Sequence, residues 1–562
     1  MLPLLLAQLV APPLQNSPVR LPGPGVPVQR PRERQPLPIE DPDVRPGNVP
    51  AAPPPATPAQ EQLQTSQPVV RGLTVYSPTE LKRILASCSG NPLGDRLKDC
   101  AAALTARLVG DGYLNTRVYI QALPAPGWLE VVEGRIVEIQ VSSNSSRLAR
   151  RVRRLLTPLQ GSVLNLANVE DALERLRRLP GIAEVRGRLS KLGSDPAQGV
   201  FSLSVQPGAS AWQGELSLRN DGSNGSGEGR ATGTLLKGDL VTEGDTLLLY
   251  GELNSDNTPS LGAVISSISY TLPLADAWSF TGSFGYSRRN LIELPDSLDG
   301  TLASSQYQGL GQLEWVLTDS LHQRWSVFAG FSGNRSNTYL AGQALPADQV
   351  PASVRAPQNG YLRVGVNASG QLPELAWGGN LFLLQGIAAA TPSQQRQELA
   401  NAGINPGSSS ALAGVVSAAW LFAPSWQLNL RVGGQWAFHP LTNPMQFTLG
   451  SDAGIRGLPG QLISGDSGWL STAETSWTFW RNRFHALQLV PFIGVGGVQT
   501  TLKGVTSSDT VGSGGILARW LAGNAWQLEL GWVEQFETND NVGTWTDWAL
   551  GKGLYAQVKY RF

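Results

Sequence analysis

A chain of 562 residues with 63 Gly, 40 Pro and only 15% charged residues is long enough for several domains. It contains no apolar run of about eighteen residues, which argues against a transmembrane helix, while 41% hydrophobic content with 17 Trp suits the other membrane solution, a closed barrel with aromatic belts. The formal charge of zero hides an asymmetry: residues 71–207 hold 19 Lys plus Arg against 12 Asp plus Glu, net +7, and residues 208–562 hold 19 against 26, net −7, which places a domain boundary near residue 207.

Residues 1–11, Met-Leu-Pro-Leu-Leu-Leu-Ala-Gln-Leu-Val-Ala, read as the apolar core and small-residue end of a secretory signal that lacks a basic start. Residues 12–67 hold 16 of the 40 prolines and read as an extended linker. From residue 68 the texture becomes compact α/β. Val70–Tyr76 alternates as a short strand, and Ser77-Pro78-Thr79-Glu80 offers a helix cap. A second helix is expected from Asp99 to Val109, closed by Gly110-Asp111-Gly112, with strands over Tyr113–Gln121 and Trp128–Val132. Cys88 and Cys100 suit either a disulfide of an oxidising compartment or two free thiols; we favour the disulfide.

The same order then repeats. Arg135–Ser142 reads as a strand, Arg147–Leu156 and Val169–Leu179 as helices broken at Pro180-Gly181, and Ile182–Leu189 and Gly199–Val205 as strands. Residues 68–134 and 135–207 are thus two copies of one small α/β unit. The arginines of the second copy, among them Arg150, Arg151, Arg154, Arg175 and Arg178, are interleaved with Leu and Val rather than stacking aromatics. They suit a solvated helix face or the docking of an acidic polypeptide, not nucleic acid.

Residues 208–562 lose the helical signals. Trp526-Leu528-Leu530-Trp532 alternates with Gln527 and Glu529, and Leu554-Ala556-Val558-Tyr560-Phe562 with Tyr555, Gln557, Lys559 and Arg561. Period two puts one set on each face of a strand. Sixteen strand candidates run from 212–220 to 552–562. Long connections, among them 289–304, 335–359, 391–410, 438–467 and 537–551, alternate with mostly tight ones such as 273–276, 319–323, 423–424, 481–484 and 522–524. Even strand count with long and short loops on alternate ends predicts a 16-stranded antiparallel transmembrane β-barrel, its short turns facing the compartment of the α/β copies. The loop 438–467 has no clear strand or helix period, and it carries Arg456 between glycines in Gly454-Ile455-Arg456-Gly457. An arginine there can fork onto a carboxylate.

No phosphate-binding loop, no zinc spacing among His322, His439 and His485, and no nucleophile elbow is present in the sequence. Neither an enzyme nor a cofactor is therefore expected.

Gly112-Tyr113-Leu114-Asn115-Thr116-Arg117 with Val132-Glu133-Gly134-Arg135-Ile136 resembles paired polypeptide-transport-associated (POTRA) domains, as does Leu179-Pro180-Gly181-Ile182 in the second copy. Gly454-Ile455-Arg456-Gly457, followed by Ser464-Gly465-Asp466-Ser467-Gly468-Trp469 and Glu474, resembles the loop of the outer-membrane transporters of two-partner secretion (TpsB type). Tyr560 and the terminal Phe562 are similar to the assembly signal of bacterial outer-membrane proteins. The resemblance implies a pore in the outer membrane, inserted by the barrel-assembly machinery, with its POTRA domains in the periplasm. It implies export of an unfolded secreted partner, the arginine of an inward-folded loop contacting an acidic residue of the barrel wall. Assembly of other barrels is the alternative it leaves open, ahead of a passive porin or a surface enzyme. One departure stands out: the family's wall motif reads Pro-Phe-Phe-Asp-x-Gly, and this chain has Pro491-Phe492-Ile493-Gly494-Val495-Gly496. Either Arg456 pairs with another acid, Asp466 and Glu474 being the candidates, or the lock is weaker.

Overall fold

The structure, a computed structural model, describes residues 68–562 apart from 87, 89–92, 125, 178–181, 194, 209–211, 243, 257–259, 294–301, 320–322, 373 and 539. The signal-like residues 1–11, the linker 12–67, Arg178 and the Pro180-Gly181 break lie outside the described residues. The chain divides into two units, one ending at Gly208 and the other running from Ala209 to Phe562.

In the first unit β1 (Val69–Arg71), α1 (Pro78–Ala86), α2 (Leu93–Gly110), β2 (Arg117–Gln121) and β3 (Trp128–Val132) are followed by β4 (Arg135–Ser142), α3 (Ser146–Leu156), α4 (Leu166–Arg177), β5 (Ile182–Leu192) and β6 (Asp195–Pro207). The two sheets have one topology, β1-β3-β2 and β4-β6-β5. In each, the first strand runs parallel to the middle one and the third antiparallel. Ser77 starts α1 with a capping box: its N–H and hydroxyl donate to Glu80 at 2.9 and 2.7 Å, and Glu80 N–H returns to Ser77 Oγ at 3.3 Å. The Ser77 hydroxyl holds the Glu80 carboxyl below its ordinary value. Helix α2 starts earlier than expected because Leu97, Cys100, Leu104 and Leu108 continue the helical stripe, and all four are buried. Strand β2 starts later, at Arg117, because Tyr113 N–H donates back to Leu108 O at 2.8 Å and holds the chain in a turn.

The motif residues of the first unit build its joint. The Glu133 carboxylate, almost fully buried, accepts from Thr74 Oγ1 at 2.8 Å, Val75 N–H at 3.2 Å and Arg135 Nη2 at 3.2 Å. Gly134 N–H donates to Thr116 Oγ1 at 3.2 Å, and a side chain at 134 would run into Asn115. From the second copy, Leu166 N–H reaches Gly112 O and Asn165 Nδ2 reaches Asp111 O, each at 2.9 Å.

The second unit is a closed antiparallel barrel of 16 strands. They are β7 (Gln213–Arg219), β8 (Gly229–Gly238), β9 (Thr246–Ser255), β10 (Leu261–Pro273), β11 (Trp278–Asn290), β12 (Leu302–Asp319), β13 (Gln323–Leu340), β15 (Gln358–Gln371), β16 (Leu375–Gly386), β17 (Ser410–Ala423), β18 (Trp426–Ala437), β21 (Ser467–Arg481), β22 (His485–Leu502), β23 (Val505–Ala522), β24 (Trp526–Phe536) and β25 (Leu554–Arg561). The short β14 (Gln343–Ala344) adds to β13, and β19 (Phe447–Leu449) pairs with β20 (Ile463–Gly465) as a separate hairpin. Strand β25 closes on β7 from Gln557↔Arg219 to Arg561↔Glu215, and Gly214 and Phe562 exchange backbone bonds of 2.9 and 3.0 Å beyond it. Tyr560 stacks on Phe562 with centroids 5.9 Å apart.

Alternation decides which way the wall faces. On β24, Leu528 and Leu530 are 42% and 52% exposed while Glu529 is 0% exposed, so apolar side chains face outward and charge faces the lumen. That is the arrangement of a lipid-facing barrel, inverted from a soluble sandwich. Tryptophans collect at the short-turn end. Trp278 stacks on Trp315 across β11–β12 at 5.5 Å, and Trp426 on Trp477 across β18–β21 at 5.4 Å. Among the described residues no helix is long and apolar enough to cross a membrane.

Several of the expected connections carry structure, among them 335–359 with β14 and the helix Ala352–Arg355. Residues 499–510 extend β22 and β23 outward, because Lys503 and Gly504 both take positive φ, 50° and 79°, as a two-residue hairpin turn requires. The connection 391–410 holds helix Ser393–Asn401, whose Gln, Arg, Glu and Leu residues follow Pro392. The loop 438–467 contains the β19–β20 hairpin, which the sequence pattern does not announce.

Cys88 and Cys100 are joined by a disulfide, with Cα atoms 5.3 Å apart, and both are buried in the core of the first copy. Peptide mapping of the full chain without reductant should recover them as one linked pair. Replacing both by Ser should cost about 3 kcal/mol of local stability, read as faster hydrogen exchange in α2. Free thiols in fresh protein overturn the first expectation, and unchanged exchange overturns the second.

Candidate functional site: a loop latched inside the lumen

The loop between β18 and β21 folds onto the inner faces of the strands. On its first arm, Leu441 and Met445 pack against Tyr361, Leu384 and Ala411, and Gln435 Nε2 donates to Met445 O at 2.8 Å and Asp466 O at 2.9 Å. The tip then turns through Gly450–Gly460. Ser451 N–H donates to Pro459 O at 2.9 Å and Asp452 N–H to Gly460 O at 3.0 Å. Leu449, Ile455 and Leu458, each 0% exposed, form one apolar cluster with Leu470, Val498 and Val511 of the wall. Burying side chains of this size stabilises the seat by about 1.5–3 kcal/mol each as an upper bound.

Gly457 has φ +86°, and a Cβ there would collide with Val533. The turn therefore admits no side chain on that side. It aims the Arg456 carbonyl at the Ser513 hydroxyl, which donates to it, and the Gly457 carbonyl at Gln535 Nε2, 3.1 Å away. The Arg456 guanidinium then spans the lumen wall. Nη2 donates to Glu474 of β21 at 2.8 Å, and Nη1 donates to Glu529 of β24 at 2.5 Å and to the Tyr555 hydroxyl at 3.2 Å. Arg519 of β23 completes the square, reaching Glu474 at 2.7 Å and Glu529 at 2.5 Å. Two guanidiniums and two carboxylates thus alternate. The rings of Tyr555 and Phe492 lie 5.3 and 5.8 Å from the Arg456 guanidinium carbon. A cavity of about 220 Å³, lined by Arg219, Asp221, Glu474, Gly494 and Gln557 among others, opens beside it.

Of the two candidate acids, the structure brings Glu474 to Arg456 and not Asp466. The Asp466 carboxylate sits on the first arm, accepting from Leu441 N–H at 3.3 Å and Gln446 Nε2 at 3.1 Å, and burial pushes its pKa up. Gly494 explains the shift. Ile455 packs over it, and a Cβ at 494 would meet Ile455 Cγ2 and Thr472 Cγ2, each at 3.2 Å. The loop lies where a wall carboxylate would project, so the acids come from β21 and β24 instead. Sequence reading missed Glu529 and Arg519. The signal was a charge on the polar face of an otherwise apolar alternating strand.

A second ion pair, also unforeseen, holds the opposite flank. Arg230 of β8, with its side chain 2% exposed, bridges Glu252 of β9 at 2.7 Å and Asp452 of the loop at 2.6 Å. Gly460 N–H donates to Gly222 O at 2.7 Å, and Arg289 Nη2 donates to Gln461 Oε1 at 3.4 Å. The arginines of the first unit are less available than their number suggests. Arg175 is engaged by Asp171 at 2.7 Å, and Arg150, Arg151 and Arg154 each have a partner within the protein.

A family model described as haemolysin secretion/activation protein ShlB/FhaC/HecB matches residues 200–515. The chain belongs to this family. It is similar to an outer membrane transporter CdiB of Dickeya dadantii (strain 3937), 24% identical over 389 residues that cover 66% of this chain and 64% of that one. Its fold is shared with CdiB from Escherichia coli, at 18% identity, TM-score 0.58, and coverage of 91% of this chain and 93% of that one. CdiB from Acinetobacter baumannii matches with TM-score 0.53 and 16% identity over 89% and 90%. The barrel is an outer-membrane barrel.

Arg456→Ala should loosen the loop by about 2–4 kcal/mol, because it leaves one excess carboxylate charge on a mostly buried pair. Arg456→Lys should not restore it, since an ammonium cannot fork to both acids. Glu529→Gln should loosen the loop and Asp466→Asn should leave the tip seated. Limited proteolysis at residues 450–460 in the folded barrel reads all four, and equal protection of Arg456→Ala and native protein refutes the latch.

Proposed function

We propose that this protein is the outer-membrane pore of a two-partner secretion pair. It takes an unfolded secreted protein from the periplasm to the cell surface. The observation that carries this reading is the loop seated in the lumen by alternating ion pairs. Arg456 and Glu474 keep 22% and 20% of their side-chain surface exposed, so water can replace that contact as it breaks. A loop held only by an apolar core would be a permanent plug; one held by charge can leave when a chain enters.

The partner is captured as an added strand on a free sheet edge of the periplasmic domains. Strand β4 offers one: Glu138, Gln140 and Ser142 line an open groove of about 350 Å³ with Arg153 of α3. Folding of the emerged chain outside biases its movement, so the protein acts as a conduit and not as an enzyme. The arginines Arg150, Arg151 and Arg154 give the capturing face a positive field for an acidic segment. The barrel itself is inserted by the barrel-assembly machinery, which reads Tyr560 and Phe562 at the closing strand, and it is solvated by outer-membrane lipid.

Deleting residues 68–207 should abolish export of the partner while leaving a heat-modifiable barrel in the outer membrane. Continued export by that truncation overturns the capture role.

A further inference from the structure

The lumen wall is chemically divided. The charges that hold the loop lie on β8, β9, β21, β23 and β24. Strands β15, β16 and β17 together carry a single charged residue, Arg363. Around it the wall is built of amides. Gln312 of β12, Asn334 of β13 and Asn359 of β15 are 3%, 8% and 7% exposed. Gln312 Oε1, Asn334 Nδ2, Asn359 Oδ1 and Asn380 Oδ1 of β16 have no hydrogen-bond partner among the described residues. Unpaired amide atoms at that burial are costly inside a protein unless something polar shares the space.

Strand register orders these groups. Asn334 stands opposite Asn359, and Gln312, Gly330 and Arg363 form one row across β12, β13 and β15. Asn367 stands opposite Asn380. On β15 the sequence Asn359, Arg363, Asn367 repeats every four residues, about 13 Å per step in an extended strand. A polypeptide threaded in extended form has the same repeat.

Arg363 is prepared as a donor. Its guanidinium carbon lies 5.2 Å from the Phe328 ring centroid and 5.1 Å from that of Phe382, so aromatic faces fix it. Its Nε has no hydrogen-bond partner among the described residues. Two residues nearer the outer end, Tyr361 meets Leu441 and Met445 of the loop. On β15, Arg363 therefore lies on the short-turn side of that contact with the first arm of the loop.

We propose that the wall formed by β12, β13, β15 and β16 is the track of the exported chain. Its amides and the Arg363 fork bond in turn to oxygen acceptors of an extended polypeptide, backbone carbonyls and acidic side chains alike. This rests on the export reading. A wall of weak, repeated sites, mostly amides with Arg363 and the Glu314–Arg324 pair among them, lets a chain of any sequence enter each site and leave it, which a ring of strong ion pairs does not.

Because Cys88 and Cys100 are bonded to each other, one introduced cysteine is the sole free thiol. A benzophenone on Ser369→Cys, at the periplasmic end of β15, samples the track; one on Thr232→Cys samples the charged wall of β8. The full-length barrel is irradiated with an unstructured Asn/Ser/Gly peptide, with the same peptide carrying Glu, and with one carrying Lys. The neutral and Glu peptides should cross-link at Ser369→Cys and far less at Thr232→Cys. Arg363→Gln should cut the Glu-peptide yield about fivefold and the neutral yield less, which separates carboxylate from carbonyl recognition. Asn380→Ala, a smaller change, should lower both yields, and a heat-modifiable gel shift confirms that each variant is a closed barrel. Equal yields at the two positions, no yield at Ser369→Cys, or yields there indifferent to both substitutions overturn the track. Cross-linking confined to Thr232→Cys would leave export standing and move the path to the other wall.

Discussion

Arg456 and Arg230 are each met by two acids inside the barrel, and that pairing organises how the loop is held. Arg456 is carried into the lumen by a loop tip whose glycines allow the approach, and it lands between Glu474 and Glu529. Two carboxylates reaching for one guanidinium would repel each other, so Arg519 sits between them from the opposite side. The square is neutral as a whole and charged at every corner. Remove one corner and the others are left with an uncompensated charge in a low-dielectric setting. The Arg230–Asp452 pair applies the same rule on the other flank of the loop.

The same economy explains the division of the wall. Charges cluster where the loop needs holding, and the sector of β15 to β17 is nearly free of them. Outside, the apolar stripe is continuous, and tryptophans gather where the short turns meet the interface. Barrel strands thus satisfy two solvents at once, lipid on one face and a polar lumen on the other, because successive side chains alternate.

In the paired α/β domains the motif residues are structural before they are functional. Glu133 gathers Thr74, Val75 and Arg135, while Gly134 makes room for Asn115 and Gly112 receives Leu166. Together they fix the joint between the two copies, while β4, bonded at Arg135 and Ile136 to residues 161–163, stands at the margin of its sheet.

Much of this is written locally in the chain. Alternation of Leu528 and Leu530 with Gln527 and Glu529 already declares a two-faced strand, and sixteen such stretches with long and short connections on alternate ends declare a barrel. Gly457 after Arg456 declares a tight turn, since only a residue without Cβ takes that φ at low cost. The alternation also sends Glu474 inward. What the sequence could not decide is which inward charges meet. Glu529 lies 73 residues from Arg456 and Glu474 only 18, yet both touch it, while Asp466, nearer still, does not. Strand register and the curvature of a closed wall set those distances, and neither is encoded near any one residue. The displacement of the acid from position 494 is of the same kind: a glycine there reads as a loss until the loop is seen lying against it.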